Sequence, residues 1–107
     1  MRTFPKELAE LRRMVESRGA ELRLMSSRDL LFLAGERSVT HVDVQGRPAK
    51  IAILVMTKPD GSIHVVVQGL MPGRWFRRFE SVALDGFRLR PDGRVEEMPG
   101  DELYKFE

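Results

Sequence analysis

The stretch that decides the fold is "SVTHVDVQGRPAKIAILVMTKPDGSIHVVVQG", residues 38 to 69. In its opening residues Thr40, Val42 and Val44 alternate with His41 and Asp43, the two-residue period of a half-buried strand. "QGRP" then turns the chain. "AKIAILVMT" is apolar on both faces, which fits a central strand covered from both sides. "KPDG" turns the chain back into "SIHVVVQG", where Ile63, Val65 and Val67 point one way and Ser62, His64 and Gln68 share the other with Val66. Proline presets φ, aspartate accepts from its own backbone, and glycine takes positive φ. Three strands joined by tight turns read as an antiparallel meander.

Toward the C-terminus the same turn chemistry recurs. "RPDGR" at 90 to 94 joins "FRLR" to "VEEM", adding strands to the meander. Between the two hairpins lies "MPGRWFRRFE", residues 71 to 80. Read as a strand it has no clean apolar face. Read as a helix, Trp75, Phe76, Phe79, Val82 and Ala83 gather within an arc of about 120°. A short second helix near residues 74–84 is therefore expected, its rings inward and its arginines solvated.

Toward the N-terminus, Phe4, Leu8, Leu11 and Val15 form one stripe at helical spacing. Pro5 suits the first turn, and Gly19 suits a left-handed cap, so residues 5 to 18 are expected to be helical. A single narrow stripe needs one partner surface, which is the sheet. The following "ELRLMSSRDLLFLAGE" has two readings. Leu22 and Leu24 alternate with charge as in a strand, and Leu30 to Ala34 would make another. The competing reading is a short helix capped by Ser26 or Ser27 and ended at Gly35. The strand reading is preferred because "LLFLA" is apolar all round and short.

The expected fold class is α+β, with an N-terminal helix packed on an antiparallel β-meander of about five to seven strands. The chain of 107 residues fits one globular domain, residues 1–107. Cysteine is absent, which removes disulfides, thiolate zinc sites and cysteine nucleophiles. "IAILVM" is the longest purely apolar run, far short of the ~20 residues of a membrane helix. The N-terminus shows no h-region or small-residue cleavage site, so no membrane contact and a cytoplasmic location are expected.

Charge is unevenly spread. Arg74, Arg77, Arg78, Arg88, Arg90 and Arg94 stand against Glu80, Asp85 and Asp92, a local charge of +3. The residues from Val95 onward carry five acids against Lys105, a charge of −4, so the two segments are expected to neutralise each other in part. These six arginines are the candidate binding residues, and they would serve a polyanion or nucleic acid if left free. The alternative, an arginine-coated core segment, is preferred, because exposing three of the chain's eight aromatic residues would forfeit roughly 1.5–3 kcal/mol apiece.

His41, Asp43 and His64 are the residues nearest to a ligand or metal set. If Gln45 pairs with Pro48, however, Asp43 faces Lys50 and the two histidines lie roughly 14 Å apart, too far for one metal. No P-loop, GxGxxG, HExxH or GxSxG motif occurs. No catalytic residue, metal or cofactor is assigned. The expected function is non-enzymatic binding or regulation, with a protein partner or a second copy of the chain met at a sheet edge.

Overall fold

The computed structural model describes residues 5–35, 37–72 and 79–103. Helix α1 spans Pro5–Arg23 and α2 spans Ser27–Phe32. Five strands follow: β1 Ser38–Val44, β2 Arg47–Thr57, β3 Ile63–Pro72, β4 Phe79–Leu89 and β5 Val95–Glu97; the helical turn α3, Gly100–Leu103, follows them. The strands form one antiparallel sheet in chain order, β1-β2-β3-β4-β5. The fold is therefore the expected α+β layering, an N-terminal helix on a five-stranded meander, and its short second helix is α2.

α1 lies mainly across β3 and β4. Leu11, Val15 and Leu22 from α1 and Leu30 from α2 enter a core with Ile51, Ile53 and Val55 of β2, Ile63, Val65 and Val67 of β3, and Ala83 and Phe87 of β4. Each of these strand residues is on the sheet face toward α1, as their pairing in register requires. The other face is covered in part from the C-terminal side. A Cβ on Gly86 would run into Leu103 and the Met98 sulfur, so that segment lies directly on β4.

Three local expectations are corrected. First, Gly19 does not cap α1; the helix continues to Arg23. Leu22 extends the Leu11–Val15 stripe and is fully buried, while Leu24, read as its strand companion, is 89% exposed. Second, residues 27–32 are helical instead of strand. The Ser26 side chain accepts from the Asp29 N–H and caps the turn, and only Leu30 is inside; Leu31 and Phe32 face out. The run that looked apolar all round buries one residue. Third, residues 79–84 belong to β4, not to a helix; residues 73–78 lie outside the described residues, and with them Trp75 and Phe76. The register of β3 with β4 shifts between Gly69 and Leu70, where Ala83 pairs with Gly69 and Ser81 with Leu70. Val82 is the extra residue of a β-bulge, and Val82 and Ala83 both meet the core. A bulge breaks the two-residue period, which is why the sequence shows no clean strand face there.

Candidate functional site

β1 lies at an edge because sheet order follows chain order. Its position is set by the turn that leads into β2. Gln45 and Gly46 both have positive φ, 50° and 82°, the mark of a type I′ two-residue hairpin. Asp43 helps to fix this turn, its Oδ1 accepting from the Gly46 N–H at 2.7 Å. Val44 then pairs with Arg47, Val42 with Ala49 and Thr40 with Ile51, with no shift along the strand.

This register determines where the backbone groups of β1 point. In an antiparallel ladder the residues of a strand alternate in turning their N–H and C=O toward one neighbour or the other. The Gly35 N–H donates to the Val55 carbonyl on the β1 side of β2, so the odd-numbered residues of β2 turn toward β1. Their partners Ser38, Thr40, Val42 and Val44 turn inward. Val39, His41 and Asp43 therefore turn their N–H and C=O outward. Among the described residues nothing pairs with that edge.

The two edges of the sheet differ. β5 is only three residues long and carries Glu96 and Glu97, and β4 beside it is bulged. Short strands, charge and bulges are the usual means of blunting an edge. β1 is seven residues long and regular, and contains neither lysine nor proline. Val39, a branched aliphatic, is 45% exposed on it. It has the features of an edge able to accept another strand.

The arginines singled out from the sequence are placed differently. Arg88 meets Glu102 at 2.6 Å, Arg90 meets Glu96 at 2.7 Å and Asp60 at 3.4 Å, and Arg94 meets Asp92 at 3.2 Å. Their charge is thus opposed within the domain, as the acidic C-terminal segment suggested. Arg74, Arg77 and Arg78 lie outside the described residues. The ligand set of His41, Asp43 and His64 does not assemble. His41 pairs with Lys50 and Lys50 with Leu70, six residues along β3 from His64, which separates the histidines by roughly 20 Å. The expected turn was displaced by one residue, so Asp43 faces Pro48, not Lys50. No cluster able to hold a metal ion occurs among the described residues. His64 lies beside its cross-strand partner Arg88; burial, then the charges of Lys58 and Arg88, lower its pKa below the ordinary imidazole value.

A cleft of about 560 Å³ opens at the end of the sheet beneath α2, with Leu31, Ile63, Leu89 and Val95 along its apolar wall and Lys58 and Arg90 at its rim. Its size suits a small molecule. Ser26, Thr57, Lys58 and Ser62 supply its polar lining, and Arg90 is already held by two carboxylates.

No family model, curated protein or solved structure matches the chain. No helix among the described residues is long and apolar enough to cross a membrane. The sequence singled out His41 and Asp43 for their side chains, whereas the structure makes their backbones the notable feature. Part of the signal was available, since "SVTHVDV" carries neither lysine nor proline, but the preferred reading of Leu22–Leu24 and Leu30–Ala34 as strands hid that it comes first.

Proposed function

We propose that this domain is a non-enzymatic protein-recognition module that takes an extended segment of a partner onto the outer edge of β1. The observation behind this reading is the regular, uncapped edge, whose outward N–H and C=O groups at Val39, His41 and Asp43 offer three residues of ladder pairing. Strand addition of this kind draws affinity from main-chain hydrogen bonds and selectivity from alternate side chains. Each such bond contributes about 0.5–1.5 kcal/mol net, so backbone pairing alone binds weakly and the side chains decide the partner. Val39 and His41 serve one face of the added strand, Thr40 and Val42 the other.

The opposed charges of Arg88, Arg90 and Arg94 argue against a polyanion as the preferred partner. The test is selection of linear peptides from a displayed random library, followed by mapping of their contacts by amide chemical shifts. Selected peptides are expected to shift Val39 to Asp43 and to lose binding to His41→Pro, which removes an outward N–H without touching the β1–β2 ladder. Val39→Pro, near the start of the strand, is the milder form of the same change. Peptides that map to the cleft beneath α2, or that bind both folded proline variants undiminished, would contradict the proposal.

A further inference from the structure

We infer that the cleft beneath α2 is a binding site for a small monocarboxylate with an apolar body, a medium-length acyl or aryl acid. The inference stands apart from the reading of β1, since no residue of β1 lines the cleft.

Three pieces of chain build the cleft, and two of them are the Pro-Asp-Gly turns. In the β2–β3 turn the Lys58 N–H donates to the Ser62 carbonyl and the Gly61 N–H to the Lys58 carbonyl, both at 2.9 Å. Asp60 braces this turn from within, its Oδ1 accepting from the Ser62 N–H at 2.9 Å and the Ser62 hydroxyl at 2.6 Å. The β4–β5 turn repeats the pattern. The Arg90 N–H donates to the Arg94 carbonyl at 2.8 Å, and Asp92 accepts from the Arg94 N–H at 2.9 Å. The two turns lie against each other: a Cβ on Gly61 would stand 3.2 Å from Pro91, and Arg90 reaches Asp60 at 3.4 Å. The third piece is the α1–α2 junction, which contributes Met25 and Leu31. With two braced turns as walls, little ordering remains to be done on binding.

The lining decides the class of ligand. Leu31 and Val95, on the apolar wall, are 48% and 43% exposed, large hydrophobic side chains that the fold itself leaves in water. A ligand with an apolar body would cover them. The charged side chains of the lining are Arg23, Lys58 and Arg90, all cations. Arg23 is opposed by Asp85 and Glu97, and Arg90 by Glu96 and Asp60. Lys58 alone of the three forms no ion pair among the described residues. One unopposed ammonium beside an apolar wall matches one negative charge on an apolar body. A phosphoryl dianion would need a second free cation, and an amine would meet positive charge only. Thr57, next to Lys58 in the same lining, offers a hydroxyl donor to a carboxylate oxygen.

Octanoate, octanol and octylammonium share one apolar body and differ in charge, so together they test the assignment on the whole chain. By amide chemical shifts, octanoate is expected to move Leu31, Ile63, Leu89 and Val95 with a Kd of roughly 0.1–1 mM, as suits a ligand of about ten heavy atoms. Octylammonium should bind at least tenfold more weakly, with octanol between the two. Lys58→Glu, in an exposed turn, should weaken octanoate at least tenfold and reverse the preference toward octylammonium. Lys58→Arg should keep the preference for octanoate. Octylammonium binding the unmodified chain as tightly as octanoate, or a preference unchanged in Lys58→Glu, overturns the inference. So do octanoate shifts that centre outside the cleft, or no shift at roughly 10 mM octanoate. Peptides at the β1 edge are read on Val39 to Asp43, so failure at one site is distinguishable from failure at the other.

Discussion

Replacing Gly19 by alanine should destabilise the protein, against the usual direction of a glycine-to-alanine change inside a helix. Alanine ordinarily gains about 1 kcal/mol in a helix interior. Here the added methyl would collide with the Asp85 carboxylate and come within 2.8 Å of Arg23 Nη1. Asp85 cannot retreat freely: Arg23 grips it with two hydrogen bonds, of 2.8 and 2.9 Å, while also bonding Glu97 at 2.6 and 2.9 Å and lying over the Phe87 ring. Both the Arg23 and Asp85 side chains are only 20% exposed. These carboxylates hold the guanidinium even more firmly protonated than usual, Asp85 contributing most. Each charge-assisted bond contributes about 1.5–3 kcal/mol, so a displaced carboxylate loses about 2–4 kcal/mol in all. Offset by the helix gain, the net loss is about 1–3 kcal/mol, and Tm falls by roughly 5–20 °C. Thermal and urea melts of Gly19→Ala, Asp85→Ala and the double variant measure it. In the Asp85→Ala background the sign should reverse, with Gly19→Ala stabilising by about 1 kcal/mol. A single Gly19→Ala variant more stable than the parent would refute the reasoning.

Other outcomes follow from the same contacts. Phe87→Ala empties a fully buried ring site between α1 and the sheet and should cost about 3–5 kcal/mol, read as a lowered urea midpoint at unchanged m-value. Gln45→Asn should raise stability by a few tenths of a kcal/mol, since the left-handed φ of 50° suits asparagine and Asn-Gly is the favoured type I′ pair, whereas Gly46→Ala should lower it by about 1 kcal/mol. His64 has a folded-state pKa below its unfolded value near 6.5, so the unfolded chain binds the proton first. Its contribution to stability is complete above that value and is lost as pH falls through it. His64→Gln should flatten the decline of the urea midpoint below about pH 6.5, and an unchanged slope would count against burial as the cause.

The middle of the fold was legible because each strand carries a full signal. "AKIAILVMT" is apolar on both faces, and as β2 it is covered fully on the α1 side and in part on the other; the two Pro-Asp-Gly turns sit where turn chemistry put them. The misread parts share a physical reason, which is that tertiary contacts outweigh local pattern. Gly19 looks like a cap, yet it is where the Asp85 side chain of β4, held by Arg23, leaves no room for a methyl. Leu24 looks like a strand partner of Leu22, yet it is a turn residue in solvent. Residues 79–84 look helical because the bulge at Val82 hides the strand period, and pairing with β3 over ten residues decides the matter. At the candidate site, the alternation in "SVTHVDV" revealed the strand, but the hairpin register was needed to tell which backbone groups face out. A turn displaced by one residue, from Gly46–Arg47 to Gln45–Gly46, moves every cross-strand partner in β1.

The most direct measurement of β1 as a working surface is residue-resolved amide hydrogen exchange, taken on dilute chain alone and again with an edge-selected peptide bound. In dilute solution the inward amides of Thr40, Val42 and Val44 should be protected and the outward amides of Val39, His41 and Asp43 should exchange freely. With an edge-selected peptide bound the outward amides should become protected as the edge is paired. Outward amides already protected in the chain alone, or unprotected with every edge-selected peptide, would contradict the assignment of β1 as the binding edge.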